Sequence, residues 1–390
     1  MSLDDLRDVI EEGKLVNETE IDVEAYERKT SFNGLTPLRL IGIRAGTQSL
    51  AGKLHTGVVV LGVAYFVVWW TVTNALLLGP SFYFEGLLPS VLVGAAGIRS
   101  IFQFRFLVTG FRSRKLIALD FVVKDFEQAS FLLTVLSLAL MGAVFSILMF
   151  ESLSNGYLYG QMMELGASHS GAIVLVALNE ISNFIMFSYT ASAMSVMSCV
   201  AYATWMRQRA VRHTVDKLRH FQRDANAVTD DCRQLSKHLA VLDRHGSTAL
   251  KASVGLMLPP LVFFLVDFLV SWIELLRKAG GNVERIYLPI SIDLAVFLAL
   301  IVPACFATHA SDQLRSAFRR WFVAMNGIVQ AAPDLVPNDQ RMLALKLVLQ
   351  ASQKASCRAR LMQQEFSFSK LLSLSSFIFF LTVWKFIVSV

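Results

Sequence analysis

The sequence predicts an all-α membrane protein: seven transmembrane helices with long cytosolic helical extensions. Three observations lead there. Of 390 residues, 54% are apolar and only 17% charged, and the mean hydropathy is +0.52; a soluble domain carries about 25% charge and roughly 45–50% apolar residues. The apolar excess is gathered into runs about as long as a bilayer is thick. Lys and Arg alternate between rich and poor connections along the chain. This composition excludes a disordered chain, a disulfide scaffold and an ordinary soluble enzyme.

The first segment, 1–54, is acidic, with Asp4, Asp5, Asp8, Glu11 and Glu12 near its start. It shows no apolar leader, so the N-terminus is expected to stay in the cytosol. A spanning helix needs about 20 mostly apolar residues, and seven segments qualify. The first covers about Thr56–Leu78 and carries no charge. The second, about Phe84–Val108, holds Arg99 and Arg105 in its second half. The third covers about Ala129–Phe150 and the fourth about Gly171–Ala203. The fifth, about Val254–Leu276, contains Pro259-Pro260, where a kink must leave carbonyls for neighbouring helices to satisfy. The sixth covers about Ile286–Ala307 and the seventh about Phe368–Val390.

The connections set the orientation. Those after the second, fourth and sixth spans are rich in Lys and Arg, and so is the stretch before the first. The other loops are poor: none in 79–84, none in 151–170, and only Arg277, Lys278 and Arg285 between the fifth and sixth. The positive-inside rule then places the N-terminus in the cytosol and the C-terminus outside after seven crossings. Arg99 and Arg105 fall at the inner end of their span, where they can snorkel. A G-protein-coupled receptor has the opposite orientation; no DRY-like triplet, NPxxY or outer cysteine pair is present. The sequon Asn17-Glu18-Thr19 suits an outside N-terminus, but a three-residue match is common by chance. Cys199 and Cys305 lie in apolar runs, Cys232 and Cys357 in basic ones, a distribution that predicts reduced thiols. The net charge of +6, from 36 Lys+Arg against 30 Asp+Glu, reports loop orientation and not nucleic-acid binding.

Two stretches continue the helical pattern beyond the spans. In 205–251, Val211, Val215, Leu218 and Phe221, then Leu235, Leu239 and Leu242, recur at three- and four-residue steps. The sixth span continues through Leu314, Phe318, Trp321, Phe322 and Met325, breaks at Ala331–Pro337, and is followed by an amphipathic helix over about Asp339–Gln363. Such helices are either solvated extensions or a cytosolic anchor whose apolar stripes pack together. The chain thus divides into 1–54, a membrane part 55–309 carrying the extension 205–251, cytosolic anchor helices 310–366, and a seventh helix 367–390.

No HExxH, GxSxG, P-loop or GxGxxG is present, and no cofactor or metal site is indicated; His238 and His245 share a face without a carboxylate at ligand spacing. The chain is therefore not expected to be an enzyme. Ionisable residues inside spans are costly and must face a cavity or a partner. They are Glu180, Asp267, Glu274, Asp293 and Lys385, with Asn179, Ser182 and Asn183 beside Glu180 and Tyr189 and Ser192 further along. The predicted orientation puts the four acids in the outer half of the bilayer. Glu180, Asn183, Asp267 and Asp293, with Trp69, Trp70, Trp272 and Tyr287, either line a ligand pocket or make interhelical hydrogen bonds and an interfacial aromatic belt.

The end of the chain reads FSFSKLLSLSSFIFFLTVWKFIVSV. It resembles the last helix of the arthropod gustatory and odorant receptor superfamily, which closes with Thr-Tyr, five residues, then Gln-Phe. The spacing fits: Thr382, the five residues Trp384–Val388, then Ser389-Val390. Only the Thr is kept; Val383, Ser389 and Val390 stand at the other positions. The run Phe368–Ser375 resembles the family's L-D-R-S-L-L-F-S, with Ser369 at the Asp. The resemblance covers 25 residues and implies a divergent member.

It further implies a chemosensory, ligand-gated, non-selective cation channel in the plasma membrane, assembled as a homo- or heterotetramer, with a small organic ligand entering among the outer halves of the spans. The seventh helix would line the pore. Ser389 would stand at the pore-lining Gln, Phe386 at the apolar gate and Thr382 one turn below, all on one face at i, i+4, i+7, where a ring of Phe gates by dewetting. Lys385 points sideways, or else faces the lumen and repels cations. Alternatives from other classes are a seven-span receptor acting through a cytosolic partner and a non-conducting scaffold or transporter.

Overall fold

Inside hydrocarbon a backbone has no water to bond, and a helix satisfies its own N–H and C=O groups. The apolar runs accordingly become helices. The computed structural model describes residues 34–41, parts of 61–72, 123–164, 166, 168–218, 247–277, 284–331 and parts of 360–380. Its α-helices are α1 (Val123–Asn155), α2 (Tyr157–Glu164), α3 (His169–Leu218), α4 (Ser247–Arg277) and α5 (Glu284–Ala331). The third to sixth predicted spans lie within α1, α3, α4 and α5. Gly156, at φ 55°, is left-handed between α1 and α2, a backbone state that Gly enters at little cost.

Three stretches are long and apolar enough to cross a bilayer: Phe126–Phe150 in α1, His169–His213 in α3 and Ile290–Ala317 in α5. The apolar run in α4 is shorter, Thr248–Val262. The seven expected crossings are therefore represented among the described residues by three, and the second span lies outside them. α1 shows the reversed pattern of a helix in lipid. Its buried stripe includes Ser130, Thr134 and Ser137, while Phe131, Leu132, Leu136 and Leu140 are exposed. In water that arrangement would be backwards; in lipid, small polar residues belong at helix contacts. This is the construction of a membrane protein.

Neighbouring helices alternate in direction. The Phe126 ring stacks on Tyr202, and Phe145 meets Phe184 and Phe187, so α1 and α3 are antiparallel. Phe187 packs on Phe264, while the Tyr189 hydroxyl donates to the Leu256 carbonyl at 3.3 Å, which makes α3 and α4 antiparallel. α5 starts seven residues after α4 ends and packs along it, which requires the two to run antiparallel. α3 and α5 consequently run parallel and share a long contact. At 1.5 Å per residue, the 50 residues of α3 and the 48 of α5 reach about 75 and 72 Å, more than twice a hydrocarbon core of about 30 Å. α5 is described as far as Ala331, and the break expected over 331–337 otherwise lies outside the described residues.

Pro259 and Pro260 lie inside α4. Proline has no N–H, so Pro260 leaves the carbonyl four residues back, at Leu256, without its helical donor. Tyr189 supplies that donor from α3, as a proline inside a spanning helix requires.

Two features depart from the sequence reading. A 3-10 turn, Thr36–Ile41, lies against α1 with Leu35 and Leu38 buried. The Thr134 hydroxyl sits 3.0 Å from the Gly34 carbonyl and 2.7 Å from that of Ser130, sharing its one proton. Part of the predicted cytosolic N-terminal segment therefore belongs to the bundle. Of the helix expected over about 339–363, residues 339–359 lie outside the described residues, and 360–361 form a strand instead. Arg360–Leu361 (β1) pairs antiparallel with Gln364–Glu365 (β2), Arg360 opposite Glu365, because the chain must reverse tightly before its last helix. Ser367 then caps that helix: its hydroxyl accepts from the Lys370 N–H at 3.3 Å, the N-cap geometry, one residue before the predicted start.

Candidate ligand site

The predicted pocket residues are carried mainly by α3 and α4, and the contacts between those helices fix how they are layered. Phe187 on α3 touches Phe264 on α4, ring centroids 6.2 Å apart. One turn from Phe187 toward the start of α3 is Asn183; one turn from Phe264 toward the end of α4 is Phe268. Because the helices are antiparallel, both lie about 6 Å along the axis on the same side of the contact. A further turn brings Glu180 level with Trp272, which stacks on Phe268 at 6.1 Å. A carboxylate and an amide on α3 thus stand at the axial level of two aromatic rings on α4.

Beneath this layer lies an aromatic floor. Phe145 makes edge contacts with Phe184 and Phe187 at 5.7 and 5.6 Å, and Phe187 joins them to the buried Phe264. Glu180 and Asn183 are half-buried, and the Asn179 amide lies 3.5 Å from Glu180 Oε1. Helical residues of the predicted first span cover the α3 side: the Tyr65 hydroxyl donates to the Leu178 carbonyl at 2.8 Å, and Gly62 approaches Ile185. These contacts also run antiparallel, 62 with 185 and 65 with 178.

Asp293 on α5 is 3% exposed, between the buried Ile290, Ile292 and Val296. Asp267 is carried by α4 and Tyr287 by α5. Trp69, Trp70, Thr382, Lys385, Phe386 and Ser389 lie outside the described residues. The structure therefore brings Glu180, Asn183 and Trp272 into one layer.

Hydrogen bonds between helices are made by Tyr189 and Tyr65. Most buried hydroxyls bond back to their own helix: Thr190 to Met186, Ser192 to Ser188 and Ser195 to Ala191, at 2.9, 2.8 and 2.7 Å. They are satisfied locally and add little between helices. Tyr189 is the exception on that stretch. Sequence reading missed Tyr65, Phe145, Phe184, Phe187 and Phe264. Phe184 and Phe187 had a usable signal, three residues apart on the face of Asn183 and Glu180; the other three enter through tertiary packing.

Chemically, a half-buried carboxylate and amide at the level of stacked rings suit a small molecule with an apolar body and one cationic or hydroxyl end. Comparison with known proteins matched no family model and no curated protein.

Proposed function

We propose that this chain is a ligand-gated, non-selective cation channel of the gustatory-receptor type, assembled as a tetramer of like or unlike subunits in the plasma membrane, with its N-terminus in the cytosol. The observation that carries the reading is the last helical segment. Leu372 and Phe380 stand 70% and 59% exposed on their own chain, whereas α3, α4 and α5 bury broad faces against one another. Exposed apolar side chains on that segment suit a rod whose neighbours come from other subunits around a shared pore. The alternating helix directions and the long α3 and α5 support the expected crossings and cytosolic extensions.

In this reading a small organic ligand enters the layer of Glu180, Asn183 and Trp272. It shifts a closed–open equilibrium by binding the open state more tightly. Phe386 forms the apolar constriction, with Thr382 and Ser389 on the same face, and cations pass when the ring hydrates. Lys385, next to Phe386, turns away from the lumen.

The test is whole-cell current from cells expressing the chain alone, with and without a panel of small organic tastants, followed by Phe386→Ala. A constitutive leak from the variant is expected. A silent variant that reaches the cell surface would overturn the gate, and a glycosylated Asn17 would overturn the orientation.

A further inference from the structure

Gln208 lies on α3 one turn before Arg212. It is 2% exposed, on the same helical face as the buried Thr204 and Val211, yet neither its Nε2 nor its Oε1 has a hydrogen-bond partner. On α5 the Ser311 hydroxyl, in a residue 1% exposed, is likewise without one. Buried polar atoms in folded proteins are almost always satisfied, by protein or by fixed water.

The two orphaned groups meet at one level. α3 and α5 run parallel, and the Arg212 guanidinium donates to Gln313 Oε1 at 3.2 Å, which sets their register. Gln208 is four residues before Arg212 and Ser311 two before Gln313, so they differ by about 3 Å along the axis. Both turn into the buried seam. The hydroxyls nearby are committed to their own helices, Thr204 to the Val200 carbonyl at 2.8 Å and Thr308 to that of Ala304 at 3.1 Å. On α5, Ala304 and Ala307 share the helical face of Ser311, and both are buried.

The chemistry selects the occupant. A bare cation would meet only the amide oxygen and an anion only its N–H groups, so either would leave part of the amide unmet. What remains is small, neutral and able both to donate and to accept.

We propose that the α3–α5 seam holds fixed water at Gln208 and Ser311. Water accepts from Gln208 Nε2–H and donates to Gln208 Oε1 and Ser311 Oγ. Without it the seam would carry three unsatisfied polar atoms, and with it the seam has a hydrated joint where α3 and α5 can slide by exchanging water bonds. The site is independent of the channel reading.

X-ray radiolysis of the full chain in lipid nanodiscs tests this, because radicals formed from bound water oxidise the side chains beside it. Val211 and Leu314, which flank the level and are buried, are expected to label several-fold faster than Leu300, buried among apolar neighbours on α5. Equal labelling of all three in the unmodified chain overturns the proposal. In Gln208→Leu the excess is expected to disappear; an excess that persists overturns it too. If that variant fails to fold, Ser311→Ala serves in its place, with the same expected loss and the same overturning result. A thiol-reactive dye reporting exposure of Cys199 and Cys305, both buried and free, gives a second readout. Gln208→Leu alone strands Ser311 and is expected to leave the melting midpoint unraised, while Gln208→Leu with Ser311→Ala raises it. A midpoint raised fully by the single change overturns the bridge.

Discussion

α1 and α5 carry apolar stretches of nearly equal hydropathy, yet 22% of the first is buried within the chain and 56% of the second. α1 keeps a narrow buried line of Phe126, Ser130, Thr134, Ser137 and Met141, and turns Leu132, Leu136 and Leu140 outward. α5 buries Val296, Leu300, Ala304, Ala307 and Leu314 against α3 and α4. The lesson is that hydropathy measures whether a helix can enter lipid and says nothing about its neighbours. A Leu moved from protein to lipid loses packing, not hydrophobic environment. Only contact density separates the two helices, and their sensitivity to substitution should differ accordingly.

The largest effect is expected at the centre of α5. Leu300→Ala should lower unfolding stability by about 2–5 kcal/mol, as truncation of a fully packed side chain does, seen as a fall in the thiol-dye melting midpoint in detergent. Next comes overpacking: Ala304→Leu, forced into a seam built of small residues, should cost about 1–3 kcal/mol by the same measurement. Smaller still, Thr134→Val keeps the shape of the buried line on α1 but withdraws the proton shared with the Gly34 carbonyl. A loss of about 1 kcal/mol is expected, with faster amide exchange in residues 34–38. At the bottom of the scale, Leu136→Ala on the outward face of α1 should stay within about 0.5 kcal/mol. A Leu136→Ala loss as large as that of Leu300→Ala would mean this face is packed against protein, and the contrast between the helices would fail.

Much of this architecture could be read from the residues. Spans expected at 129–150, 171–203, 254–276 and 286–307 fall within helices that overrun them, by about four turns in α3 and nearly seven in α5. The overrun on α5 followed from the Leu314, Phe318 and Phe322 periodicity. What escaped is what depends on partners distant in sequence. The turn at Thr36–Ile41 is too short to register as an apolar segment, and its burial comes from α1. The helical end expected at 360–363 gave way to the β1–β2 reversal because Arg360 and Leu361 pair forward along the chain. Gln208 reads as one more polar residue in a basic stretch, although it falls at helical spacing with Val211 and Val215; only the packing of α5 shows that this face is closed. In the ligand layer, Glu180 and Trp272 could be singled out as costly or interfacial residues, but their common level required the Phe187–Phe264 contact.

The Tyr189 hydroxyl on the Leu256 carbonyl has a wider meaning. At Pro260 one helix has handed the upkeep of its own backbone to a neighbour, so the angle between the two halves of α4 is adjusted from α3. Since α3 also carries Glu180 and Asn183, whatever displaces α3 at those residues pulls on the Tyr189 hydrogen bond at that break. A small change in the upper layer is thereby geared to a bend in a different helix, with a single phenol as the linkage.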